Sequence, residues 1–166
     1  MQHKNSVRLG LFALFLFVWP WCSAMANNPG SCTDTSASCQ VTCTSANPCV
    51  VQITRTGLAA TPSTVSVNGT AASIFCVQIG TNVTWKTADA DGTSFADIRF
   101  GSSSAFGKSS FGSDSMNSMA IAVPSTATSA CSQFAVSDCT YDGSQCQHAD
   151  PKVVITGSHG RRRHHT

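Results

Sequence analysis

The sequence predicts an all-β domain, a β-sandwich or a Greek-key barrel, held by disulfides, and three observations carry that expectation. Short runs of alternating apolar and polar residues, separated by turn residues, recur between residues 50 and 156, the pattern of half-buried strands. Lys, Glu, Leu and Arg are scarce while Ser, Thr, Ala, Gly and Val abound, which disfavours long helices and favours strands joined by polar turns. Beyond residue 26 the cysteines form an even set with no C-x-x-C pair among them, the mark of a disulfide framework rather than of thiolate metal ligands.

The first element is a leader. Lys4 and Arg8 precede the apolar run "LFALFLFVW" at 11–19, and "SAMA" at 23–26 supplies small residues of the A-x-A type. That order is a secretory signal peptide over residues 1–26, and the apolar run is too short to anchor a bilayer-crossing helix. Trp19 and Trp21 occupy the places where a lipoprotein leader would need an aliphatic and a small residue before Cys22. Cleavage after Ala26 leaves a secreted or periplasmic chain of single-domain size.

Residues 27–49 are polar and cysteine-dense, with too little apolar content to bury a core. Bridges must hold this segment, internally or to the body. The strands then follow in order: "VVQIT" at 50–54, "STVSVNGT" at 63–70 ending in an Asn-Gly turn signal, and "SIFCVQIGTNVTW" at 73–85 with two runs around Gly80. "FADIRF" at 95–100 sets Ala96, Ile98 and Phe100 on one face and Phe95, Asp97 and Arg99 on the other. "MAIAV" at 119–123 stops at Pro124, and "SQFAVSDCTY" at 132–141 and "KVVIT" at 152–156 complete seven or eight strands. The expected core is Val65, Val67, Ile74, Val83, Trp85, Ile98, Phe100, Ile121, Val136, Val153 and Ile155. Residues 158–166 form a polar tail with Arg161–Arg163, His164 and His165, expected to be disordered.

Setting Cys22 aside, the nine cysteines reduce to Cys32, Cys39, Cys43, Cys49, Cys76, Cys131, Cys139 and Cys146. They can form up to four bridges in any of roughly 105 connectivities. Charge excludes one class of partner. Without Lys4 and Arg8, the ten cations drop to eight, matching eight acidic residues that are all aspartate. No basic face exists for nucleic acid.

Three pieces in chain order resemble the cupredoxin fold of plastocyanin- and azurin-type proteins. In residues 63–85 a strand of alternating valines leads to Gly80, Thr81, Val83 and Trp85, a Gly-Thr-x-Val-x-Trp run entering a central strand. Residues 95–111, "FADIRFGSSSAFGKSSF", are similar to the aromatic-rich middle of cupredoxin-like proteins of unknown function. Residues 139–156 carry a Tyr-bearing strand through a loop into Asp-Pro and a final Val/Ile strand. The resemblance implies a Greek-key β-sandwich of cupredoxin-like topology over residues 50–157. The family's blue-copper site needs two histidines, a cysteine and usually an axial methionine. Here the loop after Trp85, "KTADADGTSF", holds no histidine, and Cys146 is followed by Gln147 and His148 with no later methionine. At most two of four ligands survive, so the expectation is a chain with no complete copper site and no cofactor. In that reading Cys146 lies in a disulfide-tied loop with His148 exposed beside it. The alternative is a copper-binding electron-transfer protein or metal chaperone using Cys146, His148, Met116 and Met119, with His159, His164 and His165 of the tail.

Other constellations have plain readings. Asn68-Gly69-Thr70 and Asn82-Val83-Thr84 fit the glycosylation pattern, which is without meaning in a bacterial host. Asp89 and Asp91 begin a D-x-D-G sequence, but a calcium loop also needs a bidentate glutamate, and the chain has none. His148 and Asp150 could be written as a dyad with a serine, yet no G-x-S-x-G setting exists. The sequence names no catalytic residue. It predicts an exported, non-catalytic binding or structural module with an extracellular or envelope partner of unknown identity.

Overall fold

The computed structural model describes residues 29–55, 63–87, 94–101, 104–114, 118–140 and 142–157. The leader, the basic tail, Asp89, Asp91, Met116 and Tyr141 lie outside the described residues. Among the described residues there are thirteen strands, one short 3-10 turn at Ser36–Ser38 and no α-helix. Among the same residues no helix is long and apolar enough to cross a membrane.

The strands build two mixed sheets that pack face to face. The larger runs β2 (Val41–Cys43), β6 (Ile74–Gln78), β13 (Lys152–Thr156), β11 (Ala130–Thr140), β8 (Ser94–Phe100) and β9 (Ser110–Asp114). Two further strands, β1 (Gly30–Ser31) and β12 (Cys146–Ala149), also pair with β11. The smaller sheet runs β10 (Met119–Ala122), β7 (Asn82–Thr87), β3 (Cys49–Thr54), β4 (Thr64–Val67) and β5 (Thr70–Ala71). Pairing is parallel between β2 and β6, β6 and β13, and β3 and β7, and antiparallel elsewhere.

Local chemistry sets the turns. Asn68 and Gly69 both take positive φ, 50° and 81°, between Val67 and its partner Thr70. This is the backbone that a two-residue hairpin of matching twist requires. The Asn68 side chain is used as well: Oδ1 accepts Val50 N–H at 2.7 Å and Nδ2 donates to Pro48 O at 3.2 Å. β12 and β13 keep one register against β11, with Val136 opposite Ala149 and Gln133 opposite Lys152. They form one long strand interrupted at Asp150-Pro151, where proline has no N–H to give the ladder. Where β8 ends, β1 lies against Gly101, and a Cβ there would sit 2.8 Å from the Pro29 carbonyl oxygen.

The core is aromatic. Trp85 is fully buried, with the rings of Phe111 and Phe134 each 5.3 Å away, Phe106 at 5.9 Å and Phe100 at 6.2 Å, all near edge-to-face. That geometry suits the quadrupoles of neighbouring rings. Of the expected core, all but Ile74 are buried. Ile74 is a correction: on β6 it is Phe75 and Val77 that face the other sheet, while Ile74 and Cys76 face outward and pack with Cys32, Cys39, Cys131 and Val154. The strand is covered on both sides, so its apolar run carries no phase.

Four disulfides form: Cys32–Cys131, Cys39–Cys76, Cys43–Cys49 and Cys139–Cys146. Two of them strap residues 32–39 across the outer face of the larger sheet, over Val154. The bridges hold the cysteine-rich segment in both expected ways, to the body and, through Cys43–Cys49, internally. Expected strands 50–54, 95–100, 119–123 and 152–156 all appear, whereas β1, β2, β9 and β12 were not anticipated because they are short, polar or rich in Cys, Gly and Gln.

Candidate functional site

The stretch from Cys139 to His148 is a closed hairpin. Cys139 and Cys146 face each other across β11 and β12 and are bridged, so Cys146 presents no thiolate. The turn between them is organised by Asp142, whose carboxylate accepts Thr140 Oγ1 at 2.6 Å, Ser144 Oγ at 2.8 Å and Ser144 N–H at 3.0 Å. The Thr140 hydroxyl, followed by the Ser144 donors, lowers the Asp142 pKa to about 2. His148 is a second correction. It lies on strand β12, beside the bridged turn, and it is half-buried rather than exposed.

His148 Nδ1 lies 3.1 Å from Ser137 Oγ, directly opposite on β11. On the other side of Ser137 is Asp97 of β8, which takes Arg99 Nε at 2.6 Å. The row Asp97–Ser137–His148 therefore contains the residue types of a nucleophilic triad in the wrong order. Activation of a serine needs the acid beside the histidine, orienting its far nitrogen. Here the acid flanks the serine and is already paired.

The described members of the alternative metal set do not converge. Met119 pairs with Trp85 and so faces the interior between the sheets, packed on the main core. His148 shares its face with Ser137, the outer one, since its neighbour Gln147 is buried inward. Met116 lies outside the described residues. Elsewhere, ligand atoms of Cys32, Asp34 and Cys131 lie within 4.8 Å of one another. The two sulfurs are bridged, and Asp34 Oδ2 accepts Lys152 Nζ at 2.7 Å.

Two other features distinguish one end of the sandwich. On the inner face of the larger sheet, Ser113, Ala96, Asp138 and Gln147 form one cross-strand row. Asp138 is 0% and Gln147 1% exposed. Thr87, at the end of β7 beyond Trp85, is buried at the same end. Among the described residues, Ser113 Oγ, Thr87 Oγ1 and Trp85 Nε1 have no hydrogen-bond partner. Buried polar groups of this kind are costly in a closed core. The sequence held a signal for Asp138, because the alternation Phe134, Val136 continues to it, but an aspartate on a core face is not the reading that pattern invites.

Beside this end a groove of about 440 Å³ opens between the β4–β5 hairpin and the Asp150–Pro151 bend. Ser63, Thr64, Val65, Ala72, Ala149 and Asp150 contribute to its wall. Ser63 N–H donates to His148 O at 3.2 Å, tying the smaller sheet's edge to β12. Gln40 closes the floor: its Oε1 accepts Ser73 N–H at 2.7 Å and Ile74 N–H at 3.0 Å. The volume falls in the range of small-molecule sites, and the wall combines small apolar groups with hydroxyls and one carboxylate. Of these residues the sequence points to Val65 as core and to Asp150 as a neighbour of His148. The rest are brought together by the crossing of the chain from one sheet to the other. Among known proteins, no family model, no curated protein and no solved structure matches this chain.

Proposed function

We propose that this chain is an exported, non-catalytic binding module, a Greek-key sandwich of cupredoxin-like topology whose copper site is not retained. The groove between the β4–β5 hairpin and the Asp150–Pro151 bend is the observation that carries the binding role. It takes a small ligand with an apolar body and an amine or hydroxyl, matched to the Asp150 carboxylate and to the Thr64 hydroxyl, which donates to Thr54 O and keeps its acceptor side. Export is supported by the four disulfides, which persist in oxidising compartments, and by the order of the leader. The topology is supported by the inner position of β7, which carries the Gly80–Trp85 run, and by the final strand β13 lying between β6 and β11. The non-catalytic reading is supported by the order of the Asp97–Ser137–His148 row.

The test is saturation-transfer NMR on the intact, oxidised protein with a panel of monosaccharides, amino acids and diamines. Binding by at least one of these classes is expected, and Ala149→Phe, which fills the groove, abolishes it while Trp85 fluorescence stays unchanged. Absence of binding across the panel, or binding that survives the substitution, removes the reading.

A further inference from the structure

The edges of the two sheets are not protected alike. β2 is three residues long and tied by Cys43–Cys49, and β5 has two residues. β9 holds Gly112 at its centre and ends in Asp114. β10, with the sequence MAIA, has no charge, no glycine and no proline within it, and among the described residues it pairs with β7 alone. Bare edges of this kind are ready templates for another strand, and charges, prolines and bulges are the usual defences against that.

The ladder tells which atoms are offered. Val123 N–H donates to Thr81 O at 3.0 Å, which continues the register Met119–Trp85 and Ile121–Val83 toward β7. In an antiparallel ladder the backbone groups of alternate residues point to opposite sides. Those of Met119, Ile121 and Val123 are turned to β7, and those of Ala120 and Ala122 are turned outward. Both alanines are exposed, and their single methyl groups leave the main chain open.

From this edge we infer that the chain associates with a second copy of itself through β10. A two-fold axis at Ile121 sets the strands antiparallel, with Ala120 opposite Ala122 of the second copy, and the same pair repeats by symmetry. Each pair exchanges main-chain hydrogen bonds, about four in all. No like charges meet, because the strand has none. A partner recognised by charge would find nothing to read on this edge. The two smaller sheets become one continuous sheet. Pro124, with no N–H, limits the contact to this strand, so the interface is smaller than the standard size and the dimer is transient.

Sedimentation equilibrium of the purified, oxidised protein tests this, run from micromolar to millimolar concentration. The average mass is expected to rise from monomer to dimer and to stop there. Ala120→Pro keeps the ladder to β7, since the Ala120 N–H points away from it, and is expected to hold the protein monomeric with unchanged Trp85 emission. Should that variant misfold, Ala120→Lys serves the same purpose with the backbone left intact. A mass that stays monomeric throughout, a series that grows beyond the dimer, or folded Ala120 variants that dimerise as well as the parent would each overturn the inference.

Discussion

Cys43 closes β2 of the larger sheet, Cys49 opens β3 of the smaller one, and the bridge between them joins the two layers inside the core, with both residues fully buried. The clasp of greatest sequence span, Cys32–Cys131, closes 99 residues against 6 for Cys43–Cys49. In the chain-entropy picture the long loop contributes about 4–5 kcal/mol and the short one about 2 kcal/mol. Replacing each pair by alanine and measuring denaturant midpoints should therefore rank Cys32/Cys131 as the costlier loss. A reversed ranking would mean that packing of the buried sulfurs outweighs loop closure.

The phase of β6 is testable by a neighbouring pair of substitutions. Phe75→Ala empties a site between Phe134 and Trp85, at 6.2 and 6.3 Å, and should cost about 3–5 kcal/mol. Ile74→Ala, on the half-buried outer face, should cost about 1 kcal/mol from lost apolar burial. Equal costs by urea unfolding would contradict the assignment of Phe75 to the inter-sheet face.

Asp142 should titrate far below an ordinary aspartate. Its pKa is lowered from 3.8 to about 2 by the Thr140 and Ser144 donors. A depressed folded pKa contributes stability that is complete above 3.8 and is lost as the pH falls through about 2. The carboxyl carbon shift of Asp142 followed by NMR should show that low midpoint, and Asp142→Asn should remove the pH dependence of the hairpin in this window.

The thiol inventory separates the structural reading from the copper alternative. Denatured but unreduced protein lacking the leader should give no reaction with a thiol reagent, and eight cysteines should react after reduction. Copper added to the oxidised protein should then produce no intense thiolate-to-copper absorption, since no free sulfur remains among the bridged residues.

Much of the fold was legible because β-strands write their faces into a period of two. In 95–100 the residues Ala96, Ile98 and Phe100 are all buried, as the alternation requires. The Asn68-Gly69 turn was readable for the same local reason, a backbone demand that few residue types meet. Ile74 was not, because a strand covered on both faces shows no alternation. The half-burial of His148 is not legible either, because "CQHA" has no strand-like apolar content, and its pairing with β11 comes from the bridge and register across the hairpin.

Composition, periodicity and an even cysteine count were enough to decide that the chain is all-β and cross-linked, since these depend on neighbours within a few residues. Which sulfur meets which, which face of β6 looks inward, and how Ser63, Ala72 and Asp150 come to wall one groove depend on contacts between residues far apart in the chain. Those were decided when two sheets closed over Trp85, because packing selects among registers that local preference leaves equal.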